Sequence, residues 1–394
     1  MSTSLESPNV SAGAADSAIA SAGRRLASVD IVRGAVMVLM AIDHVRVFSG
    51  VPAGGPTLGI FFTRWITNFC APAFIFLAGT SAFLYGRRHA DLSRFLLIRG
   101  LWLVLLELTV VRVGWTFNLQ FSTYLLAGVL WAIGWCMVLM AELVRLPVAA
   151  VGYGGVAVIA LHNAIMPALA PLLPAPVRAV LYTAFTDPPL GPLVVLYSIV
   201  PWIGVMAAGY GFGRLLTLEP ARRDRLCYAI GGVSILLFLV LRGFNLYGDP
   251  RPWTSGRFPA PIAFINTTKY PASLSFLLMT LGPTIALMPS LERARGVVAR
   301  WLTVFGRVPF FFYLLHIPLI HALAVAVSLA RQGQASPWLF TNHPMANPPP
   351  PDGYTWSLGL LYLVWAMAIA ILYVACRWFA GLKARRTEVW LRFL

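Results

Sequence analysis

Apolar runs of about 18 residues or more recur along this chain of 394 residues, and a run of that length is what one helix needs to cross a bilayer. Charged residues make up 11% of the chain and its mean hydropathy is +0.76, whereas about a quarter of a soluble globular protein is charged. The sequence therefore predicts an all-α polytopic membrane protein with long outer loops. We place ten spans at residues 28–49, 60–85, 95–113, 122–142, 148–166, 193–213, 226–242, 272–290, 304–330 and 356–381.

The basic residues orient these spans. With the amino end in the cytoplasm, seventeen lysines and arginines fall in inner segments, and five fall in outer loops, namely Arg178, Arg251, Arg257, Lys269 and Arg331. Because cytoplasmic loops carry the excess of positive charge, both termini are predicted to be cytoplasmic. Residues 1–24 are rich in serine and alanine and are predicted to form a disordered tail, followed by one transmembrane domain over residues 25–394. Without a basic start and a short apolar core at its amino end, the chain is expected to insert through its own spans.

Several classes of function are disfavoured by the sequence. The formal charge of +16 could suggest nucleic acid, but the basic residues lie in short loops and not on a soluble face, so no nucleic-acid partner is predicted. The six histidines are scattered without metal-ligand spacing, so no metal is predicted. The four cysteines lie in or beside apolar stretches and are interpreted as packing residues. Sequence motifs of nucleotide-binding folds and serine hydrolases do not occur.

The first span carries the most informative pair of polar residues. Arg33 and His44 are separated by ten residues, and eleven helical steps of about 100° bring them to one face about 16 Å apart. Such groups normally face a protein interior or a wet cavity, because each costs about 2.5 kcal/mol or more in lipid. Arg33 can pair with Asp30, and Asp43 with Arg46, since each pair is three residues apart.

His44 is the residue that we predict to be catalytic, because an imidazole can accept a proton from an attacking amine or hydroxyl near neutral pH. Asp43 is the second catalytic candidate, although adjacent helical residues point about 100° apart, so it cannot be assumed to orient His44. The alternative is that His44 and the other buried polar groups only join helices by hydrogen bonds.

Other polar residues are expected to line a cavity shared with the first span. Arg64 and Asn68 are four apart on one face of the second span. A buried Glu107 needs a partner, for which Arg64 or Arg112 is available, and we predict a structural ion pair with Arg112, with a catalytic role of Glu107 as the alternative. The remaining candidates for the substrate or cavity site are His162, Asn163, Asn266, Lys269 and His316, with snorkelling to the membrane edge as the alternative for Lys269. Arg307 lies near the cytoplasmic end of the ninth span, nine residues before His316, so on one continuous helix the two would face opposite ways.

The chain resembles a known family at these residues. The spacing R-(10 residues)-H after SVD resembles the transmembrane acyltransferase superfamily. The segments RLASVDIVRG, FFTRWITNFCAPAFIFLAGTSAFLYG, RGLWLVLLELTVVR, PWIGVMAAGYGFGRL, NTTKYPASLSFLLMTLGP and FGRVPFFFYLLHIPLIH resemble bacterial proteins with a catalytic domain of the heparan-alpha-glucosaminide N-acetyltransferase type.

This resemblance implies transfer of an acyl group, typically acetyl from cytosolic acetyl-CoA, to an amine or hydroxyl of a sugar or lipid-linked sugar on the far side of a bacterial inner membrane. His44 would be the catalytic residue, and Arg33 and Arg307 would hold the donor from the cytosolic side. The lysosomal enzyme of this family has its catalytic histidine in the loop after the first span, where SGVPAGGPTLGIFFTR has none. His44 instead takes the position used in the wider superfamily.

Two other functions stay open on the sequence. Buried charges and ten spans are also typical of a transporter or flippase for a polar or lipid-linked solute, although no repeated halves are visible. A partner without activity in an envelope complex is the third possibility. The Pro-rich outer loops at residues 167–192, 243–271 and 331–355 are either a partial lid over the outer mouth or passive connectors.

Overall fold

The computed structural model of the protein describes residues 26–55, 57–182, 190–255, 258–342, 344 and 348–386. The predicted disordered tail, residues 1–24, lies outside the described residues, as do parts of all three predicted outer loops. Helices dominate, and fifteen α-helices occur in this part of the chain: α1 Ala27–Ser49, α2 Leu58–Trp65, α3 Cys70–Gly86, α4 Leu92–Leu106, α5 Arg112–Thr116, α6 Val129–Leu143, α7 Val148–Leu169, α8 Ala175–Leu181, α9 Ile199–Leu215, α10 Pro220–Gly243, α11 Ala260–Ile265, α12 Leu274–Arg293, α13 Val297–Arg307, α14 Pro309–Gln332 and α15 Leu358–Arg385.

The prediction of a helical membrane protein is confirmed, and each of the ten predicted spans overlaps one helix or more. Among the described residues, six helices are long and apolar enough to cross a membrane: Leu58–Gly86, Val148–Leu172, Pro220–Gly243, Leu274–Arg293, Pro309–Gln332 and Leu358–Arg385. The count of ten spans and the cytoplasmic position of both termini stay predictions. A single small sheet occurs in the described chain, in which β1, Leu125–Ala127, pairs in parallel with β2, Leu193–Val195.

Helix α1 is the central element, although it has four charged residues in its 23 positions. It contacts α3, α12, α13, α14 and α15, so its charged side chains face other helices. Two glycines let α13 approach α1 closely. A Cβ on Gly34 would collide with the carbonyl of Leu302, and a Cβ on Gly306 would collide with the carbonyl of Asp30. Small residues at such a crossing are what membrane helices need for backbone contact.

The predicted ninth span is divided into two helices between its two polar residues. Helix α13 ends at Arg307, Val308 leaves the helical conformation at φ −132° and ψ 51°, and Pro309 begins α14. Proline is favoured at the first position of a helix because its missing N–H would be unpaired there. The angular argument that set Arg307 opposite His316 assumed one continuous helix, so it does not apply across this break; Arg307 is exposed and His316 is buried.

The segment before α15 packs against the carboxyl end of α1. The Trp356 backbone N–H donates to the Ser49 carbonyl at 3.0 Å, and the Tyr354 hydroxyl donates to the Phe48 carbonyl at 2.8 Å. Both donors satisfy carbonyls of the last turn of α1, which have no partner within the helix. The described part of the third predicted outer loop thereby covers the end of the helix that carries His44. The four cysteines are buried and unpaired, as their interpretation as packing residues predicts.

Candidate functional site

Arg33 and His44 lie on the same helix and both face the region of α3. Arg33 donates to the Leu77 carbonyl at 3.3 Å and to the Ser81 hydroxyl, and it lies 4.0 Å from the Asp30 carboxylate. His44 lies beside the opposite end of α3, next to Cys70, because the two helices run antiparallel. The spacing of ten residues thus places both polar groups along one groove between α1 and α3.

A small cavity opens at His44. Its volume is about 40 Å³, and a buried water needs about 10–15 Å³ on this measure, so a few waters or a group the size of an acetyl would fill it. His44 and Asp43 are only half-buried, and both border this space. Its lining residues are Met40, Asp43, His44, Thr67, Cys70, Ala71, Phe74, Val129, Tyr197 and Lys269. Helices α1, α3 and α6, the 3₁₀ turn Ile66–Phe69 and the loops before α9 and α12 contribute to it, so it is a site built by tertiary packing.

His316 of α14 holds His44 in one tautomer. Nδ1 of His316 lies 2.7 Å from the Tyr313 carbonyl, and since a carbonyl only accepts, this nitrogen carries the proton. Nε2 of the neutral His316 ring is then an acceptor, and Nδ1 of His44 donates to it at 2.6 Å. The proton of His44 is therefore on Nδ1, and its Nε2 keeps a free lone pair. That Nε2 has no hydrogen-bond partner among the described residues.

Aromatic rings fix the plane of this pair. The indole of Trp115 meets the His44 ring edge-on at a centroid distance of 4.8 Å. The two imidazoles meet edge to edge, with centroids 4.8 Å apart and ring planes inclined by 26°, as a hydrogen bond between ring nitrogens requires. The Phe312 ring also packs against His316, with centroids 5.2 Å apart and ring planes inclined by 24°. His316 itself is fully buried. The imidazole of His44 is thus held by packing on several sides, with its accessible edge at the cavity.

Asp43 serves the neighbouring arginines and does not hydrogen-bond His44. Its Oδ1 accepts from Nε of Arg46 at 2.7 Å, which confirms the predicted pairing, and lies 3.5 Å from Nε of Arg64. Arg64 also donates to the Asn68 Oδ1 at 3.2 Å, as their spacing predicts, and to the Tyr270 hydroxyl at 3.5 Å. Arg64 and Asn68 therefore support the site through Asp43, and a role of Asp43 in orienting His44 finds no contact in this structure.

His162 and Asn163 lie away from the cavity and shape the loop that carries Lys269. Nε2 of His162 contacts the Ala272 carbonyl at 2.8 Å, and the Asn163 Oδ1 accepts from the Leu274 N–H at 2.7 Å, at the start of α12. Asn266 begins the same loop, and its carbonyl accepts from Arg242 at 3.3 Å. These three predicted site residues position the loop and do not line the cavity. Lys269, which the loop carries, does line it.

The predicted ion pair between Glu107 and Arg112 is wrong. The Glu107 carboxylate lies at the start of α6, beside the backbone N–H groups of Gly128 and Leu130 and the Tyr313 side chain, where the helix amino end favours a negative charge. Its Oε2 is buried without a hydrogen-bond partner in the described part of the chain. Arg112 donates to the Tyr124 carbonyl at 3.0 Å and to the carbonyl of Asn118. Glu107 begins a five-residue π-helical turn, Glu107–Val111, and Arg112 follows it. The prediction failed because it assumed that a buried glutamate needs an arginine, whereas backbone N–H groups are available to Glu107.

Only some of the residues that the sequence predicts for the shared cavity reach it. Of the residues predicted to face it, Asp43, His44 and Lys269 line it, and His316 lies directly behind His44. Arg33 lies further along the groove, and Arg307 is exposed at the end of α13. Sequence reasoning missed Tyr197, Thr67 and Cys70 in the lining and Trp115 against His44. These residue types are common in membrane helices, and no local pattern distinguishes the ones that reach the site.

Comparison with known proteins places this arrangement in a family. No curated protein matches the chain. A family model for the heparan-alpha-glucosaminide N-acetyltransferase catalytic domain matches residues 25–243, which is more than half of the chain and includes Asp43, His44, Arg64 and Tyr197. Lys269 and His316 lie beyond the matched residues, so the site is completed by the carboxyl-terminal part. The chain belongs to the heparan-alpha-glucosaminide N-acetyltransferase catalytic-domain family.

Proposed function

We propose that this protein is an integral enzyme of the bacterial inner membrane that transfers an acetyl or related acyl group from cytosolic acyl-CoA to an amine or hydroxyl of a sugar on the outer side. The observation that supports this function most directly is the free Nε2 of His44 at the cavity, held by His316 in a chain of an acetyltransferase family. A carbohydrate or lipid-linked sugar is the proposed acceptor, because the family name describes an amino sugar as substrate.

His44 is proposed as the general base. In this mechanism Nε2 takes the proton of the acceptor amine or hydroxyl while that nucleophile attacks the thioester carbon, and the proton then passes to the departing thiolate. His316 keeps the proton of His44 on Nδ1 and so presents the lone pair to the cavity. The buried Tyr313 carbonyl holds His316 in turn, so the proposed base is oriented without a carboxylate.

The cavity at His44 can hold the acyl end of acyl-CoA but not the whole molecule. The cavity of about 40 Å³ has room for the acetyl end of the thioester and excludes the nucleotide. Arg33 and Arg99 lie within electrostatic range of each other near the predicted cytoplasmic end of α1, and guanidinium groups are well suited to bind phosphate. We propose that these two arginines hold the CoA phosphates. Arg307, exposed at the end of α13, is the third donor-binding candidate.

The test is a transfer assay with purified protein in lipid nanodiscs. Acetyl-CoA and amino sugars are supplied, with neutral sugars lacking the amine in parallel, and CoA release and acetylated product are measured. His44→Ala should lower kcat by about 10²–10⁴-fold, the usual contribution of a general base. His89→Ala is the matched control, because His89 is exposed at the end of α3. Full activity of a folded His44→Ala variant would remove His44 from the mechanism.

Two further measurements separate the alternatives. Rapid quenching without acceptor shows acetylated His44 if transfer proceeds in two steps, and no labelled enzyme if the acceptor attacks the thioester directly. Uptake of sugar into sealed vesicles without any acyl-CoA would contradict the enzyme function and favour a transporter. Acetylated product that needs both acyl-CoA and His44 would support the proposed transfer.

A further inference from the structure

Lys269 presents a cation to the cavity beside His44. It follows α11 and lines the same space of about 40 Å³ as Asp43 and His44. Its Nζ lies 5.3 Å from the ring centroid of Tyr270, and no hydrogen-bond or ion-pair partner for it occurs in the described part of the chain. Any group that reaches Nε2 of His44 in so small a cavity comes close to this ammonium. A half-buried ammonium without a protein acceptor is costly unless a ligand or water completes it.

The loop that carries Lys269 is fixed by a set of polar contacts. The Asp249 carboxylate accepts from the Thr268 N–H at 2.8 Å, from its hydroxyl at 2.9 Å and from the Ser273 hydroxyl at 3.1 Å. His162 and Asn163 hold the other end of the loop through Ala272 and Leu274. Asp249 in turn lies 3.6 Å from Arg242, with both side chains almost fully buried. A snorkelling lysine needs no such scaffold, because its flexible stem finds the lipid surface by itself.

The charge around the cavity favours an anion next to His44. One carboxylate, Asp43, faces the cations of Arg46 and Arg64, both of which pair with it. Lys269 adds a third cation, which forms no ion pair with that carboxylate within 4.0 Å in the described chain. The local excess of positive charge lies where an acyl carbonyl would sit during attack. Negative charge developing there would be stabilised by this excess.

The residue type is also informative. Of the 30 basic residues in the chain only two are lysines, Lys269 and Lys383, and the other 28 are arginines. The side chains that bind carboxylates or backbone carbonyls through several N–H groups are arginines, as in Arg46, Arg64 and Arg242. An ammonium is a compact point charge that fits a small cavity and can follow a single oxygen atom.

We propose that Lys269 is a catalytic residue that stabilises the oxyanion of the acyl-transfer transition state, an inference that rests on the proposed function. When the acceptor nitrogen or oxygen bonds to the thioester carbon, the carbonyl π electrons move to oxygen, and the Lys269 ammonium stabilises that negative charge. Nε2 of His44 takes the acceptor proton. The carbonyl then re-forms, the carbon–sulfur bond breaks, and the thiolate of CoA receives the proton from His44. Lys269 stays protonated throughout, so acyl-CoA and acceptor give acylated acceptor and free CoA.

The kinetic experiment compares Lys269→Met with Lys383→Met, which removes the other lysine, in the predicted inner end of α15. Methionine keeps the length of the side chain and removes the charge. We expect Lys269→Met to lower kcat by about 10²–10³-fold, the usual cost of losing one oxyanion donor, while KM for acyl-CoA changes by less than about 3-fold. Lys383→Met should keep the activity of the unaltered protein, and Lys269→Arg should recover part of kcat by restoring charge.

A second readout does not depend on turnover. With only two lysines in the chain, labelling by an amine-reactive reagent can be assigned by peptide mapping. An uncleavable ketone analogue of acetyl-CoA should protect Lys269 and leave Lys383 reactive. Unprotected Lys269 in the presence of bound analogue, or full kcat in a folded Lys269→Met variant, would overturn the role of Lys269 alone. No transfer by the unaltered protein with any sugar, together with no binding of the analogue, would overturn the proposed function as well.

Discussion

Nδ1 of His44 and Nε2 of His316 lie 2.6 Å apart, and the Tyr313 carbonyl at 2.7 Å from the far nitrogen of His316 fixes which ring donates. No carboxylate takes part in this pair of histidines, because Asp43 forms ion pairs with Arg46 and Arg64 instead. The orientation of the proposed base therefore depends on a second histidine from α14, and this dependence can be measured.

Replacing His316 should lower activity without removing it. His316→Ala leaves His44 free to rotate and to change tautomer, and we expect kcat to fall on the order of 10²-fold, a typical cost of losing alignment at a reacting group. KM for acyl-CoA should stay unchanged. His316→Gln should recover part of kcat, since its amide oxygen can still accept from Nδ1 of His44. If His316→Gln is no better than His316→Ala while both are folded, the acceptor role of His316 is contradicted.

The Asp43 cluster should contribute to stability. Asp43→Asn removes the charge that pairs two arginines with limited solvent contact, and we expect a loss of about 2–3 kcal/mol in the free energy of unfolding in detergent. Glu142→Gln is the matched control, because the Glu142–Arg145 pair is exposed and such pairs contribute about 0–1 kcal/mol. Equal losses for the two variants would show that Asp43 has no special structural role.

The crossing of α1 and α13 should not tolerate a side chain. Gly306→Ala introduces a Cβ against the Asp30 carbonyl, and we expect the free energy of unfolding to fall by about 1–3 kcal/mol. Gly154→Ala is the control, because a Cβ there has nothing within 4 Å, and removing a helical glycine should stabilise by about 0.4–1 kcal/mol. Thermal unfolding should show a lower melting temperature for Gly306→Ala and a higher one for Gly154→Ala. A neutral Gly306→Ala would contradict the close approach.

Glu107 should behave as a helix cap and not as half of an ion pair. Glu107→Gln keeps an oxygen that can accept from the Gly128 and Leu130 N–H groups, so we expect the free energy of unfolding to change by less than about 1 kcal/mol. Glu107→Ala leaves these donors unpaired and should cost about 1–2 kcal/mol. If charge removal in Glu107→Gln is as costly as truncation, an ionic partner must exist after all.

Local periodicity predicted much of the architecture. Long apolar runs located a helix at each of the ten predicted spans, and the spacing of Arg33 and His44 placed both residues along α3. The spacing of Asp43 and Arg46 and of Arg64 and Asn68 predicted contacts that form. These successes share one reason: neighbours three, four or eleven positions apart on a helix have their relative direction fixed by the helix itself.

Tertiary packing decided what lies opposite those residues. His316 meets His44 across 272 positions of the chain, and the Glu107 carboxylate finds backbone donors of α6 in place of Arg112. Lys269 reaches the cavity because Asp249, His162 and Asn163 fix its loop. The sequence by itself determined helices, their polar faces and the family. Which helices and loops adjoin those faces depends on contacts between distant segments, which no local pattern specifies.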